Sequence, residues 1–351
     1  MKRGLIIMMV CFLTVFLAAC GGGNTNNANN AGNSANQPVN GTANEGQDET
    51  VYKVGVAQLL EHPSLDSSRE GFIQALKDAG IEEGVNLELD YQNAQNDPTM
   101  SATIAQKFAG QDLDLVLGIA TPIAQALKQQ VKETPVLFTS VTDPLGAGLV
   151  ENLEQPESNV TGMSDTHPEE IEEMMKFISE QFPEIKTIGV IINQSEQNSL
   201  VAVERAEKEL EALGIKLERA NITNSSEVKQ AADSLAGKVD AFFTTKDNTV
   251  ISALEAIVQV ANDKDIPIFT NEKDSLARGG VATFSVDYFE IGYATGEMAV
   301  EILKNGKAPS EVPVQFPENL DLVVNLKYAK EQGVEFSDEL LQTLKPENII
   351  E

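Results

Sequence analysis

The side chains able to do chemistry in this chain are hydroxyls, amides and a few carboxylates, gathered in short runs. They are His62, Ser64 and Asp66; Thr121; Ser140, Thr142 and Asp143; Asn198 and Ser199; Asp247 and Asn248; and Asp287 with Tyr288. No arginine is common to the runs, and the two histidines of the chain, His62 and His167, stand far apart. Such a set suits a small zwitterion rather than a reaction. An α-amino acid needs an acceptor for its ammonium, for which Asp247 or Asp287 is the candidate. It also needs donors for its carboxylate, for which Ser64, Thr121 and nearby backbone N–H groups are candidates. Buried charges must be paired and hydrogen-bonded, so these partners would supply both affinity and discrimination. Phe138, Phe243, Phe284 and Tyr288 are the aromatic groups available to flank a ligand ring, although Phe138 and Phe243 read first as core. The chain contains no Gly-x-Ser-x-Gly elbow, no His-Glu-x-x-His and no Walker-type run, so neither catalysis, a metal nor a cofactor is expected.

The elements that must position these residues repeat. Lys53 to Gln58 and Thr187 to Asn193 are short β-rich apolar runs that end at an amide and pass through a polar loop into a helical pattern. The chain thus starts its fold twice, which predicts two Rossmann-like α/β lobes with parallel sheets. In open parallel sheets ligands sit outside the carboxyl ends of the strands, so facing lobes would place their polar loops around one cleft. A helix is expected from the 62–68 turn to Ala79, and another after Leu113–Ile119 with Thr121 as N-cap and Pro122 in the first helical position. Val281–Ser285 is expected to cross between lobes and deliver Asp287 and Tyr288 to the hinge. Gly292 and Gly296, one turn apart, predict a close helix crossing. Glu169, Glu170, Glu172 and Glu173 follow Pro168, where negative charge favours a helix dipole, and they read as a solvated surface.

The runs His62-Pro63-Ser64-Leu65-Asp66, Gly118-Ile119-Ala120-Thr121-Pro122, Thr142-Asp143-Pro144 and Asn159-Val160-Thr161-Gly162 resemble, in order and spacing, those of the ABC-transporter substrate-binding lipoproteins of the tryptophan/tyrosine type. The resemblance extends over nearly all of the chain after Val51. It implies a type I periplasmic-binding-protein fold, with lobes joined by crossover strands and closing on a small ligand, here an aromatic amino acid. It also implies a membrane permease that takes the ligand, and it places Asp247 near the ligand. Gln197 stands where the family tends to have an acidic residue. Alternative readings are a tethered sensor, or a binding protein for a sugar, nucleoside or other small heterocycle; the absence of tryptophan argues for an amino acid over a sugar.

The first fifty residues predict where this domain works. Lys2-Arg3, the apolar run Leu5 to Leu17 and Leu17-Ala18-Ala19-Cys20 form an export signal over 1–19, and Leu-Ala-Ala-Cys resembles a lipobox with Cys20 as the lipidated residue. Residues 20–50 are rich in Gly, Asn, Ala and Ser and form a flexible linker, reaching on the order of 30 Å. The expected location is extracytoplasmic, lipid-anchored to the bacterial cell membrane. With no cysteine beyond Cys20, neither disulfides nor a thiol nucleophile is available. A formal net charge of −29 without a basic cluster excludes nucleic acid as a partner. The N-terminal lobe is expected over 51–163 with about 288–316, the C-terminal lobe over 164–287 with about 317–351, and the protein as a monomer.

Overall fold

The computed structural model describes residues 50–351. The export signal, Cys20 and the linker up to residue 49 lie outside the described residues. The first half runs β1 (Tyr52–Gln58), α1 (Pro63–Asp78), β2 (Leu87–Asn93), α2 (Pro98–Ala109), β3 (Leu115–Ile119), α3 (Thr121–Gln130), β4 (Val136–Val141) and β5 (Val160–Ser164). Their strands form one parallel sheet in the order β2-β1-β3-β4-β5. Strands buried on both faces read as continuous apolar runs, and β3 and β4 are buried along their whole length.

The second half repeats the scheme with α4 (Glu170–Gln181), β6 (Thr187–Asn193), α5 (Gln197–Leu213), β7 (Lys216–Ile222), α6 (Val228–Leu235), β8 (Ala241–Thr244), α7 (Asn248–Ile251), α8 (Leu254–Lys264), β9 (Ile268–Thr270), α9 (Lys273–Arg278) and β10 (Ala282–Ser285). After α10 (Tyr288–Leu303) come β11 (Asp321–Asn325), α11 (Leu326–Glu331), α12 (Asp338–Thr343) and β12 (Ile349–Ile350). The second sheet has the order β12-β11-β10-β9-β8-β6-β7, parallel except where β10 meets β11. β10, β11 and β12 thus extend this sheet beyond β9, so Val281–Ser285 is not itself the crossing strand expected. The chain crosses only after Ser285.

Three crossings join the two lobes. The chain leaves the first sheet after Ser164 and returns between Ser285 and α10. It leaves again after Val314 and Gln315, which bond to Leu153, Gly162 and Ser164 at the β5 edge before β11 begins. Helix α10 closes the first lobe by lying on α1 at backbone contact, as Gly292 and Gly296 predict. A Cβ on Gly292 would stand 1.9 Å from the Ser68 carbonyl oxygen, and one on Gly71 of α1 would stand 2.1 Å from that of Phe289. The first core gathers Phe72, Phe108, Phe138 and Leu117, and the second gathers Phe243, Phe269, Phe177 and Met174. Among the described residues, no helix is long and apolar enough to cross a membrane.

Candidate functional site

The carboxyl ends of both sheets face each other across a narrow cavity of about 20 Å³. From the first lobe it is lined by His62 and Leu65 at the start of α1, Thr121 at the start of α3, and Ser140 and Thr142 at the end of β4. The second lobe adds Asn198, Lys246, Asn248, Ile251 and Glu272, and the crossings add Asp165 and Tyr288. A larger, more open recess beside it is walled by amides and hydroxyls such as Asn93, Gln125 and Asn224, but the smaller cavity holds the opposed charges.

Local sequence explains how each residue arrives. Pro63 opens α1, and His62 accepts the Ser64 N–H on Nδ1 as the helix cap, so its other nitrogen faces outward from the helix start. At α3 the cap is Ala120, with φ of 88° and no side-chain cap bond, while Thr121 and Pro122 are already helical. Thr121 is thus not the N-cap expected from its spacing with Pro122, yet it does line the cavity. Ser140 also sits in the left-handed region, at φ of 57°, where β4 shifts register against β5. Non-glycine residues held there are strained, and such strain gathers at functional sites; here it turns the Ser140 hydroxyl onto that of Ser68 at 2.9 Å.

The electrostatic centre is a buried lysine shared by two acids. Lys246 Nζ lies 2.6 Å from the Asp165 carbonyl oxygen, 3.8 Å from the Asp165 carboxylate and 2.9 Å from Glu170. Burial opposes its charge, but Asp165 and Glu170 outweigh it and hold its pKa above 10.5. Glu170 is fully buried, and burial lifts it to about 7 against the pull of Lys246. It is therefore a buried partner and not the solvated helix-dipole acid read from its place after Pro168. Asp165 further accepts the Tyr288 hydroxyl at 3.2 Å and that of Thr166 at 3.0 Å.

The sequence-derived candidates divide into two groups. His62, Thr121, Ser140, Thr142, Asn198, Asn248 and Tyr288 line the cavity. Ser64, Asp66, Asp143, Ser199, Asp247 and Asp287 do not, and each is committed elsewhere. Ser64 donates to Asp274 at 2.6 Å, Asp66 pairs with Arg69, and Asp143 caps Gly146 N. Ser199 bonds Thr245. Asp247, expected to take an ammonium, is fully buried and accepts the N–H groups of Asn193 and Val250; burial and the neighbouring Glu196 raise its pKa. Asp287 is an exposed cap accepting from Phe289 N and Glu290 N. Of the four aromatics, Phe138 and Phe243 are core and Phe284 packs on Phe177 at 6.0 Å. That leaves Tyr288 at the cavity. Sequence reasoning missed Asp165, Lys246 and Glu272.

Three polar bridges cross the cleft directly: Ser64 to Asp274, Asn96 Nδ2 to Thr249 at 3.1 Å, and His62 Nε2 to Glu272 at 3.2 Å. Burial alone would lower the His62 pKa. Glu272, seconded by Asp274, outweighs both burial and the opposing charge of Arg278, and the pKa ends above 6.5. Burial likewise pushes Glu272 up, but His62 and the Ser275 hydroxyl hold it below 4.5. A raised imidazole contributes fully below its unfolded pKa and loses that contribution as pH rises through its folded value; a depressed carboxylate contributes until pH falls through its own. The bridge is therefore expected to weaken on the alkaline side. Small-angle scattering of the ligand-free protein should show a more open molecule at about pH 8.5 than at about pH 6, and His62→Gln should remove the difference.

The family described as ABC transporter substrate binding protein matches residues 53–346. A tyrosine-binding protein of Clostridioides difficile (strain R20291) is 40% identical over 272 residues, 78% of each chain. An ABC domain from Streptococcus pneumonia, solved in complex with L-Trp, is 32% identical with a TM-score of 0.81, covering 86% of this chain and 100% of that one. The ligand-free, open structure of a substrate binding protein with adhesive properties from Clostridium difficile is 39% identical, covering 86% of this chain and 98% of that one, yet its TM-score is 0.65. The less identical structure superposes better, in keeping with lobes already bridged across the cleft.

Proposed function

The chain belongs to the ABC transporter substrate-binding protein family, and from that premise we propose that its cavity captures a free aromatic amino acid without chemical change. The observation that carries this reading is the pairing of opposite charges inside an enclosed cavity walled by hydroxyls and amides. One lysine serves two carboxylates, so an arriving ammonium supplies the positive charge that the Asp165–Lys246–Glu170 group lacks. The hydroxyls of Thr121, Ser140 and Thr142 then take the ligand carboxylate, beside the start of α3. Leu65, Ile251 and Tyr288 offer the ring its apolar surface. The relatives named for tyrosine binding and solved with L-Trp support this ligand class.

Contacts from both lobes exist together only when the lobes are closed, so the ligand favours closure through its differential affinity. The closed surface would be the one presented to the permease. The proposal extends to a monomer lipid-anchored at Cys20, with lobes of 51–163 plus about 288–316 and 164–287 plus about 317–351. Thermal unfolding with each amino acid in excess tests it, because a ligand selective for the native state raises the midpoint. Tryptophan, tyrosine or phenylalanine should shift it and the others should not. Asp165→Asn should lower affinity for the ligand found by about 10- to 100-fold, the cost of losing a charged hydrogen bond in a buried site, as read by calorimetric titration. Shifts with sugars or nucleosides alone would reject the amino-acid reading.

A further inference from the structure

Asn198, the second residue of α5, is 2% exposed and forms part of the cavity wall. Its Nδ2 donates to the Lys246 carbonyl at 2.8 Å and to Glu196 Oε2 at 3.3 Å. Both partners are acceptors, so the amide cannot be turned over and Oδ1 is left as the free end. Among the described residues, no donor reaches that oxygen. Four other buried atoms among these residues also lack a hydrogen-bond partner, but His62 Nε2 and Glu170 Oε1 face the opposite charges of Glu272 and Lys246, and Gln197 and Asn271 do not line the cavity. Buried acceptors without donors are rare and costly, which marks Asn198 Oδ1 as waiting for a donor from the occupant.

We infer that Asn198 determines specificity by accepting the hydrogen-bond donor on the ligand's aromatic side chain, the phenolic O–H of tyrosine or the indole N–H of tryptophan. This rests on the amino-acid reading above. An amino acid brings its ammonium, its carboxylate and whatever its side chain carries. The ammonium goes to the charged Asp165, because bonds between ionised groups are the stronger. The carboxylate cannot face Oδ1, since both are acceptors. The donor that remains is the one on the ring, and phenylalanine has none.

Calorimetric titration of the full chain with L-tyrosine, L-tryptophan and L-phenylalanine tests the assignment. Tyrosine or tryptophan should bind on the order of tenfold or more tighter than phenylalanine, because a site built to receive a hydroxyl or N–H rejects the analogue lacking it. In Asn198→Leu and Asn198→Ser the preference should shrink to about twofold or less. Phenylalanine binding the unaltered chain as tightly as the better of the other two would overturn the assignment, and so would a preference that persists in either folded variant. If neither variant folds, the comparison on the unaltered chain decides. Binding by none of the three would defeat the amino-acid reading itself, and this assignment with it.

Discussion

Lys246→Met is expected to destabilise the protein by about 3–5 kcal/mol and to abolish ligand binding. The side chain that replaces the lysine fills its space but leaves Glu170, fully buried, without the cation 2.9 Å away. A buried ion pair is modest evidence of stability in itself, whereas removing one partner strands the other. The deficit has a pH signature. Glu170 already titrates at about 7 through burial, and without the lysine its pKa rises further. A carboxyl raised in the folded state loses stability as pH rises, since the unfolded chain then holds fewer protons than the native one. Urea unfolding should therefore show a larger loss at about pH 8 than at about pH 5.5. Adding Glu170→Gln should restore part of the stability without restoring binding. An equal loss at both values would show that the lysine's packing, and not its charge, matters.

Gly292→Val is expected to cost at least about 3 kcal/mol, the upper end for overpacking. Its Cβ would meet the backbone oxygen of Ser68 at 1.9 Å, and a carbonyl in the middle of α1 cannot turn aside as a side chain can. The two helices must part, although valine's helix propensity would otherwise gain about a few tenths of a kcal/mol over glycine. Parting them also displaces His62 and Tyr288, which begin α1 and α10 and line the cavity, so affinity should fall with stability. Gly237→Ala, with nothing within 4 Å of the added carbon, is the control and should be near neutral in the same denaturant series.

Much of the fold was legible because parallel strands and their helices have strong local patterns. Thr187–Asn193 emerged at the limits its apolar run implied, and the αβ repeat led to two parallel sheets. β11 and β12 were not legible, because they return to the second sheet from far along the chain and only their pairing with β10 and each other defines them. At the site, strand-end hydroxyls and amides were found by position. The charged residues were not, since burial of a charge depends on partners distant in sequence: Glu170 and Lys246 meet across 76 positions. Lys246 and Asp247 follow β8 in the turn before α7, where strand alternation no longer says which side chain meets the cavity, and Asp247 instead turns to cap α7. Glu272 was passed over because nothing near it in sequence marks a cleft, and only His62 reveals its role.

The lodging of α10 against α1 has a consequence for how the molecule comes into being. Helix α1 covers residues 63–78 and its partner covers 288–303, so the strip around Gly71 and Phe72 waits until most of the second lobe has been synthesised. At about 5–20 residues per second, the roughly two hundred intervening residues take about 10–40 s. A nascent chain thus carries an unsealed first core almost to its end. The strip stays uncovered until the last fifth of the polypeptide is made, and a chain stopped short of Tyr288 would have neither lobe able to shield it.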